Sequence, residues 1–172
     1  FAARATEAAL LGLANGCTAI RTHVDIGPDI GTTGVEALLE VQAALAPKLD
    51  LQLVGLIGSL TGATAADSLA VLRAALDMGL DVVGGVPHRE QDPAAAIDLA
   101  FATAAEYGRP VDLHADETLD PTAHDLEFMA ERVIATGFEH AVTASHCVSL
   151  GMKSESDQDR IAELTAEAGI NV

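Results

Sequence analysis
Short apolar runs alternate along the chain with longer stretches in which apolar residues recur every three or four positions. The runs are Ile20–Asp25 (IRTHVD), Leu51–Gly58 (LQLVGLIG), Asp81–Pro87 (DVVGGVP), Pro110–Asp116 (PVDLHAD), Ala141–His146 (AVTASH) and Gly169–Val172 (GINV). Their near-continuous apolar character predicts strands buried on both faces, and hence a parallel sheet. The intervening stretches, rich in Ala, Leu and Glu, predict amphipathic helices. Strand and helix together repeat about every 30 residues, the size of a βα unit, so six such units are expected.

The element ends carry their own marks. Gly16, Gly79, Gly108, Gly137 and Gly169 follow the last periodic residue of a helical stretch, where a left-handed cap turns the chain back toward the next strand. Asp92-Pro93 and Asp120-Pro121 each set a capping carboxylate ahead of a proline at the first helical position. No linker, low-complexity tract or second domain interrupts residues 1–172.

Six parallel units fit either an open doubly wound sheet or a (β/α)8 barrel. The doubly wound dinucleotide fold needs a glycine-rich phosphate loop after its first strand. Here that loop reads DIGPDIGTTG (Asp25–Gly34), without the G-x-G-x-x-G spacing, and Pro28 removes an amide donor. The other glycine-rich stretch, Gly55–Gly62, is followed by no lysine and is not a nucleotide-triphosphate loop. Polar residues instead stand at the end of nearly every strand, which favours a partial (β/α)8 TIM barrel of α/β class. Eight strands typically need about 250 residues, so the chain is expected to be the central part of a barrel, short of at least one unit at each end. Its start at Phe1, without Met and within a helical stretch, agrees with that expectation.

Composition narrows the partners. Nine basic residues against 26 acidic ones give a formal net charge of −17, a surface that repels phosphate backbones and anionic lipid, so no nucleic-acid or membrane partner is expected. No run of about 18 apolar residues is available to span a bilayer. Arg4 and Glu7 interrupt what a signal peptide would need to keep apolar. Two cysteines, Cys17 and Cys147, are too few for a disulfide framework and suit a reducing cytoplasm.

Chemistry concentrates at two strand ends. His114 closes D-L-H and His146 closes T-A-S-H, one strand later. A lone histidine there is most simply a core-edge residue satisfied by backbone. Two on neighbouring barrel strands can instead share one divalent ion, with a nearby carboxylate fixing the tautomer. Glu117 lies past the strand end, free of strand alternation, and can reach the mouth to carry protons; its alternative is a carboxylate at a helix start, which Asp116 and Asp120 fit better. His23 (RTHVD) and His88 (GVPHRE) also stand at strand ends, where each either lines the pocket or contacts substrate. His124 and His140 fall on a helix start and a strand entrance and are expected to be solvated. Cys147 directly follows His146, but a histidine holding metal is not free to act as base for a thiol nucleophile. The only lysines, Lys48 and Lys153, lie off the strands, which removes Schiff-base chemistry at a strand end.

RTHVD, LQLVG, DVVGGVPHRE, VDLHADETLD, TASHC and AGINV, in this order and spacing, resemble the cytosine deaminase branch of the amidohydrolase superfamily over nearly the whole chain. The resemblance implies a mononuclear barrel holding one Zn2+ or Fe2+. It makes His114 and His146 the metal ligands of the family's fifth and sixth strands, and Glu117 the proton-shuttling glutamate of an H-x-x-E motif. It also implies hydrolytic deamination: activated water attacks the amino-bearing ring carbon, Glu117 protonates the adjacent ring nitrogen, and ammonia leaves. The metal-bridging lysine of binuclear members has no counterpart in DVVGGVP. Nor do the family's first-strand H-x-H pair and eighth-strand Asp occur in this chain. Where cytosine-specific members carry a Gln after the third strand, this chain reads L-I-G-S-L (Leu56–Leu60), so Gly58 and Ser59 are the substrate-facing residues expected there. The expected partners are a small heterocycle and water, with a homo-oligomer compatible. Cytosine or a related cyclic amidine is the first substrate class; a triazine, a creatinine-like or another ring is the second. A non-catalytic barrel fragment is the alternative of a different kind.

Overall fold
The structure, a computed structural model, describes residues 1–172. Helix α1 (Ala2–Ala14) leads into five βα repeats: β1 (Ala19–Ile26) and α2 (Thr33–Leu45), β2 (Asp50–Ile57) and α3 (Ala65–Met78), β3 (Val82–Gly85) and α4 (Pro93–Tyr107), β4 (Val111–Ala115) and α5 (Asp125–Thr136), β5 (Val142–His146) and α6 (Glu155–Ala168). All pairings are parallel, and the strands lie in the order β1-β2-β3-β4-β5. A doubly wound sheet reverses its order at a switch point; an order that follows the chain without reversal is that of a barrel wall.

Curvature is visible in side-chain contacts that a flat sheet forbids. Arg21 on β1 reaches Asp112 on β4 (2.7 Å) and Thr143 on β5 (3.0 Å), three and four strands away. The sheet is therefore half of a barrel, with Arg21, Gln52, Asp112, Thr143 and Ser145 on its concave face. The opposite face of each strand, including Val24, Ile26, Leu51, Leu53, Val111, Leu113, Val142 and Ala144, is buried in the single hydrophobic core. Close packing sets one glycine: a Cβ at Gly84 would lie 2.6 Å from Val54 Cγ1 and 2.9 Å from the Gly55 carbonyl.

Of the six expected strands, five form, the third shortened to Val82–Gly85 because Pro87 opens a 3-10 turn. The sixth, Gly169–Val172, contributes only its first rung: Asn171 bridges Thr143 in parallel, donating to Val142 O (2.9 Å) and accepting from Ala144 N (2.8 Å). Helix ends follow the glycine signals, with Gly79, Gly108, Gly137 and Gly169 as left-handed caps. Asp92 caps α4 through Ala95 N with Pro93 in the first turn. The matching signal at Asp120-Pro121 does not start a helix. Its carboxylate is taken by the N–H and hydroxyl of Thr122 (2.8 and 2.7 Å), which closes a turn, and α5 begins four residues later. No helix is long and apolar enough to cross a membrane.

Candidate metal and substrate site at the strand ends
The C-terminal ends of the strands gather the histidines. His114 ends the inward face of β4, two residues beyond Asp112. His146 ends β5, but strand alternation puts Thr143 and Ser145 on the inward face and would turn His146 toward the helices. A positive φ of 76° breaks that alternation. The ring then stands edge-on to His114, with centroids 4.6 Å apart. Glu117 comes from the loop after β4, its Oε1 3.9 Å from His146 Nε2. One ligand atom from each of His114, Glu117 and His146 lies within 4.8 Å of the others. Two imidazole nitrogens and a carboxylate oxygen are a donor set suited to a borderline divalent ion such as Zn2+ or Fe2+. Burial, and then the neighbouring His23 and His146 rings, hold the His114 pKa below its ordinary value, which favours the neutral ring, with one nitrogen able to ligate.

Backbone strain is concentrated at this rim. The only non-glycine residues with positive φ are Asp116 (52°), His146 (76°) and Cys147 (46°). Such conformations cost of order 1–3 kcal/mol each and persist only where surroundings enforce them. The enforcement here runs between the two strand ends. Cys147 N donates to Ala115 O (3.1 Å), Ser149 N to Asp116 O (3.2 Å), and Thr118 N to Asp116 O (2.7 Å). Buried Asp116 also caps α5, accepting from Asp125 N (2.8 Å) and Leu126 N (3.2 Å). That is the helix-start role expected of it. Replacing Asp116 by alanine is expected to lower unfolding free energy by about 3 kcal/mol, because two buried helix amides lose a charged acceptor. Denaturant titration reads the change, and a loss within error of zero contradicts the capping role.

His23 packs edge-on against His114 (4.8 Å between centroids) and points its Nε2 toward Asp112 (3.8 Å). It thus joins the histidine row from the far side of the half-barrel. Asp112 also accepts from Ser145 Oγ (2.8 Å) and from Arg21, and its carboxyl is held below the usual range: burial opposes ionisation, but His23, Ser145 and Arg21 outweigh it. Arg21 and Asp112 form the floor of the site, and neither was among the expected residues. A signal existed, since each lies two positions before a strand-end histidine and so shares its face. His88 does not point at the cluster's ligand atoms. Its Nδ1 is 3.3 Å from the His114 carbonyl oxygen, which braces the β4 backbone.

Gly58 and Ser59 stand after β2. Gly58 is exposed, and a Cβ there would meet only the Ile26 carbonyl oxygen at 3.9 Å, while the Ser59 hydroxyl is engaged with Glu90 (2.9 Å) and Thr61 O (2.7 Å). His124, at the N-cap of α5, is exposed, and His140 lies by Phe138 outside the site. Lys153 fastens the Glu117 loop at its far end through Pro121 O (2.6 Å) and Ala123 O (2.5 Å).

Cys147 is 6% exposed and donates to Ala144 O. Burial, then the Asp116 and Asp125 carboxylates, push its thiol up to about 12. Only about one thiol in ten thousand is then ionised at pH 8, too few for a nucleophile. Brief alkylation of the native protein at pH 8 is accordingly expected to leave Cys147 unmodified by peptide mass spectrometry, while exposed Cys17 is labelled. Fast labelling at Cys147 would contradict its assignment as packing.

A half-barrel that gathers two histidines and a glutamate at the C-terminal ends of its strands has the placement and the donor set of a barrel metal site. No protein-family model matches the chain. Among curated proteins it is 35% identical over 162 residues to pterin deaminase from Rhizobium rhizogenes, covering 92% of this chain and 36% of that protein. It is 33% identical over 142 residues to N-isopropylammelide isopropyl amidohydrolase from a Pseudomonas species, covering 81% of this chain and 35% of that protein. Among solved structures, 5-methylcytosine deaminase from Klebsiella pneumoniae, liganded with 5-fluorocytosine, superposes with a TM-score of 0.85 at 31% identity, covering 99% of this chain and 42% of that one. The chain therefore belongs to the amidohydrolase superfamily, as a segment related to its deaminases. It spans about a third of the length of the curated relatives it matches.

Proposed function
We propose that this chain supplies the central wall of a metal-dependent hydrolase that deaminates a heterocyclic ring. The convergence of His114, His146 and Glu117 at one rim carries the reading. His114 and His146 would hold one divalent ion, Zn2+ or Fe2+. When bound, that ion supplies a Lewis acid that makes water nucleophilic near neutral pH.

This chain's own groups do part of the remaining work. The Glu117 carboxylate takes a proton from the attacking water and delivers it to the ring nitrogen beside the amino-bearing carbon. It stands within reach of His146 and is half-exposed, so it can swing between the two positions. Strained backbone at His146 and Cys147 keeps the second imidazole aimed inward before substrate arrives, which spares reorganisation during the reaction. His23, turned toward Asp112, contacts the ring from the opposite side, and His88 lines the mouth. Gly58 leaves room for the ring, and Ser59 shapes the adjoining loop.

Cytosine or a related cyclic amidine is the first substrate class. A second ring class is favoured by one observation: Leu56–Leu60 offers no side-chain amide to pair with a pyrimidine edge, and an unpaired polar edge inside a pocket is expensive. The relatives differ in the same respect, since their names specify a pterin, N-isopropylammelide and 5-methylcytosine. Ammonia release by the intact, metal-loaded protein from a panel of amino-substituted rings tests both. Release from none of them sinks the deaminase reading, and fast turnover of cytosine sinks the second ring class. Two free cysteines fit a cytoplasmic location.

A further inference from the structure
Glu90 follows the short 3-10 turn Pro87–Arg89 after β3, and it was not among the residues expected to act. Its carboxylate lies within hydrogen-bond distance of four donor groups in the loop after β2, the Ser59 hydroxyl proton being shared with Thr61 O (2.7 Å). Oε1 accepts from Leu60 N (2.7 Å); Oε2 accepts from Thr61 N (3.1 Å), Thr61 Oγ1 (2.5 Å) and Ser59 Oγ (2.9 Å). Two residues earlier, His88 meets the carbonyl oxygen of His114. One short turn therefore grips two things at once: the loop at the mouth beside β2, and the strand end that carries a candidate metal ligand.

We infer that Glu90 is a specificity-determining positioning residue, whose carboxylate sets the path of the Gly58–Thr61 loop against the His114 strand end and so fixes the width of the ring-binding mouth. The inference rests on the deaminase reading for the identity of the ring, but not for the clamp itself. The loop's own side-chain tie is a single one, Ser59 Oγ to Thr61 O (2.7 Å). Gly58 is open to solvent, only Gly58 N (3.2 Å to Ile26 O) ties its start to the sheet, and Gly62 beyond it takes a φ of +82°. Glu90 supplies the missing acceptors. It shares the Ser59 hydroxyl proton with Thr61 O, so the loop presents shape at this wall rather than a free hydroxyl.

The Glu90→Gln substitution separates clamp from bulk, because glutamine is isosteric but cannot satisfy the loop in either orientation. With its nitrogen at the Oε1 position it opposes the Leu60 N–H; flipped, it opposes the Thr61 N–H. In the intact, metal-loaded protein, Glu90→Gln is expected to raise KM for the turned-over ring by about tenfold or more. Metal stoichiometry should be unchanged and kcat should stay within about threefold. Hydrogen exchange at the Leu60 and Thr61 amides should accelerate by about tenfold. Glu90→Asp, which keeps the charge but is one methylene shorter, should recover part of the KM. An unchanged KM, or loss of metal and kcat together with a lowered melting temperature, overturns the assignment in favour of a general scaffold role. If the unmodified protein turns over no ring, the deaminase reading falls on its own. Exchange then decides the clamp: unchanged protection of Leu60 and Thr61 in Glu90→Gln overturns it.

Discussion

Replacing either His114 or His146 by alanine is expected to remove bound metal and to lower ammonia release by at least about a thousandfold. The two rings are the only imidazoles in the candidate cluster, where the Glu117 carboxylate is the one other donor. His23 is turned toward Asp112, and His88 is spent on a backbone carbonyl. Losing one of so few donors from the chain leaves too little to retain a borderline ion against buffer and water. The two substitutions differ in what else they disturb. At His114 the change opens a small gap beside His23. At His146 alanine keeps the Cβ that makes a φ of 76° unfavourable, so backbone strain persists without the ring that used it. Asparagine at position 146 tolerates that φ better than alanine and is the control for folding. His146→Asn should melt at or near the parent temperature and still hold no metal. Metal analysis after gel filtration, paired with a melting curve, measures all three variants. Stoichiometric metal in His114→Ala or His146→Ala would refute the site.

Much of this arrangement is legible in the residue pattern, for a physical reason. Only the face turned to the helices is apolar throughout, because the concave face carries Arg21, Asp112, Thr143 and Ser145 where burial on both faces was expected. His114 and His146 are legible because each closes an apolar run at the strand end where barrel chemistry sits. Glycine caps are equally readable, because a left-handed residue after a helix is a local requirement that needs no knowledge of the fold. Other features depend on contacts across distance. Arg21 and Asp112 meet only because the sheet curves enough to bring β1 across to β4, and curvature is not written in either strand. Glu90 lies in a turn with no periodicity, and its four partners sit in a different loop some 30 residues earlier. Asp120-Pro121 shows the converse. It carries the same local signal as Asp92-Pro93, but Thr122 lies close enough to take the carboxylate before a helix amide can, and the chain turns instead. His146 combines both cases. Its place at a strand end was readable, but its inward direction arises from a positive φ that the bonds from Cys147 and Ser149 to the neighbouring strand enforce.

Glu117→Gln should separate proton transfer from metal retention. Glutamine fills the same volume, keeps an oxygen that can still face the ion, and leaves Asp116 free to cap α5. What it cannot do is accept a proton and give it away at accessible pH. If Glu117 carries the proton between water and ring, kcat should fall by about a thousandfold, within the usual range for loss of a general acid–base group, while metal stays near stoichiometric. KM for the ring should move little, because the lost interaction matters chiefly as charge develops in the transition state. Were Glu117 instead mainly a third ligand, metal content and activity would fall together, and added metal would restore both. Were it only a helix-start carboxylate, as Asp116 is, the substitution would cost some stability and leave kcat intact. The geometry favours the first outcome: Asp116 already occupies the amides at the start of α5, whereas the Glu117 carboxylate faces His146 from a loop tied down by Lys153. Steady-state kinetics with metal analysis on the same preparation distinguishes the three.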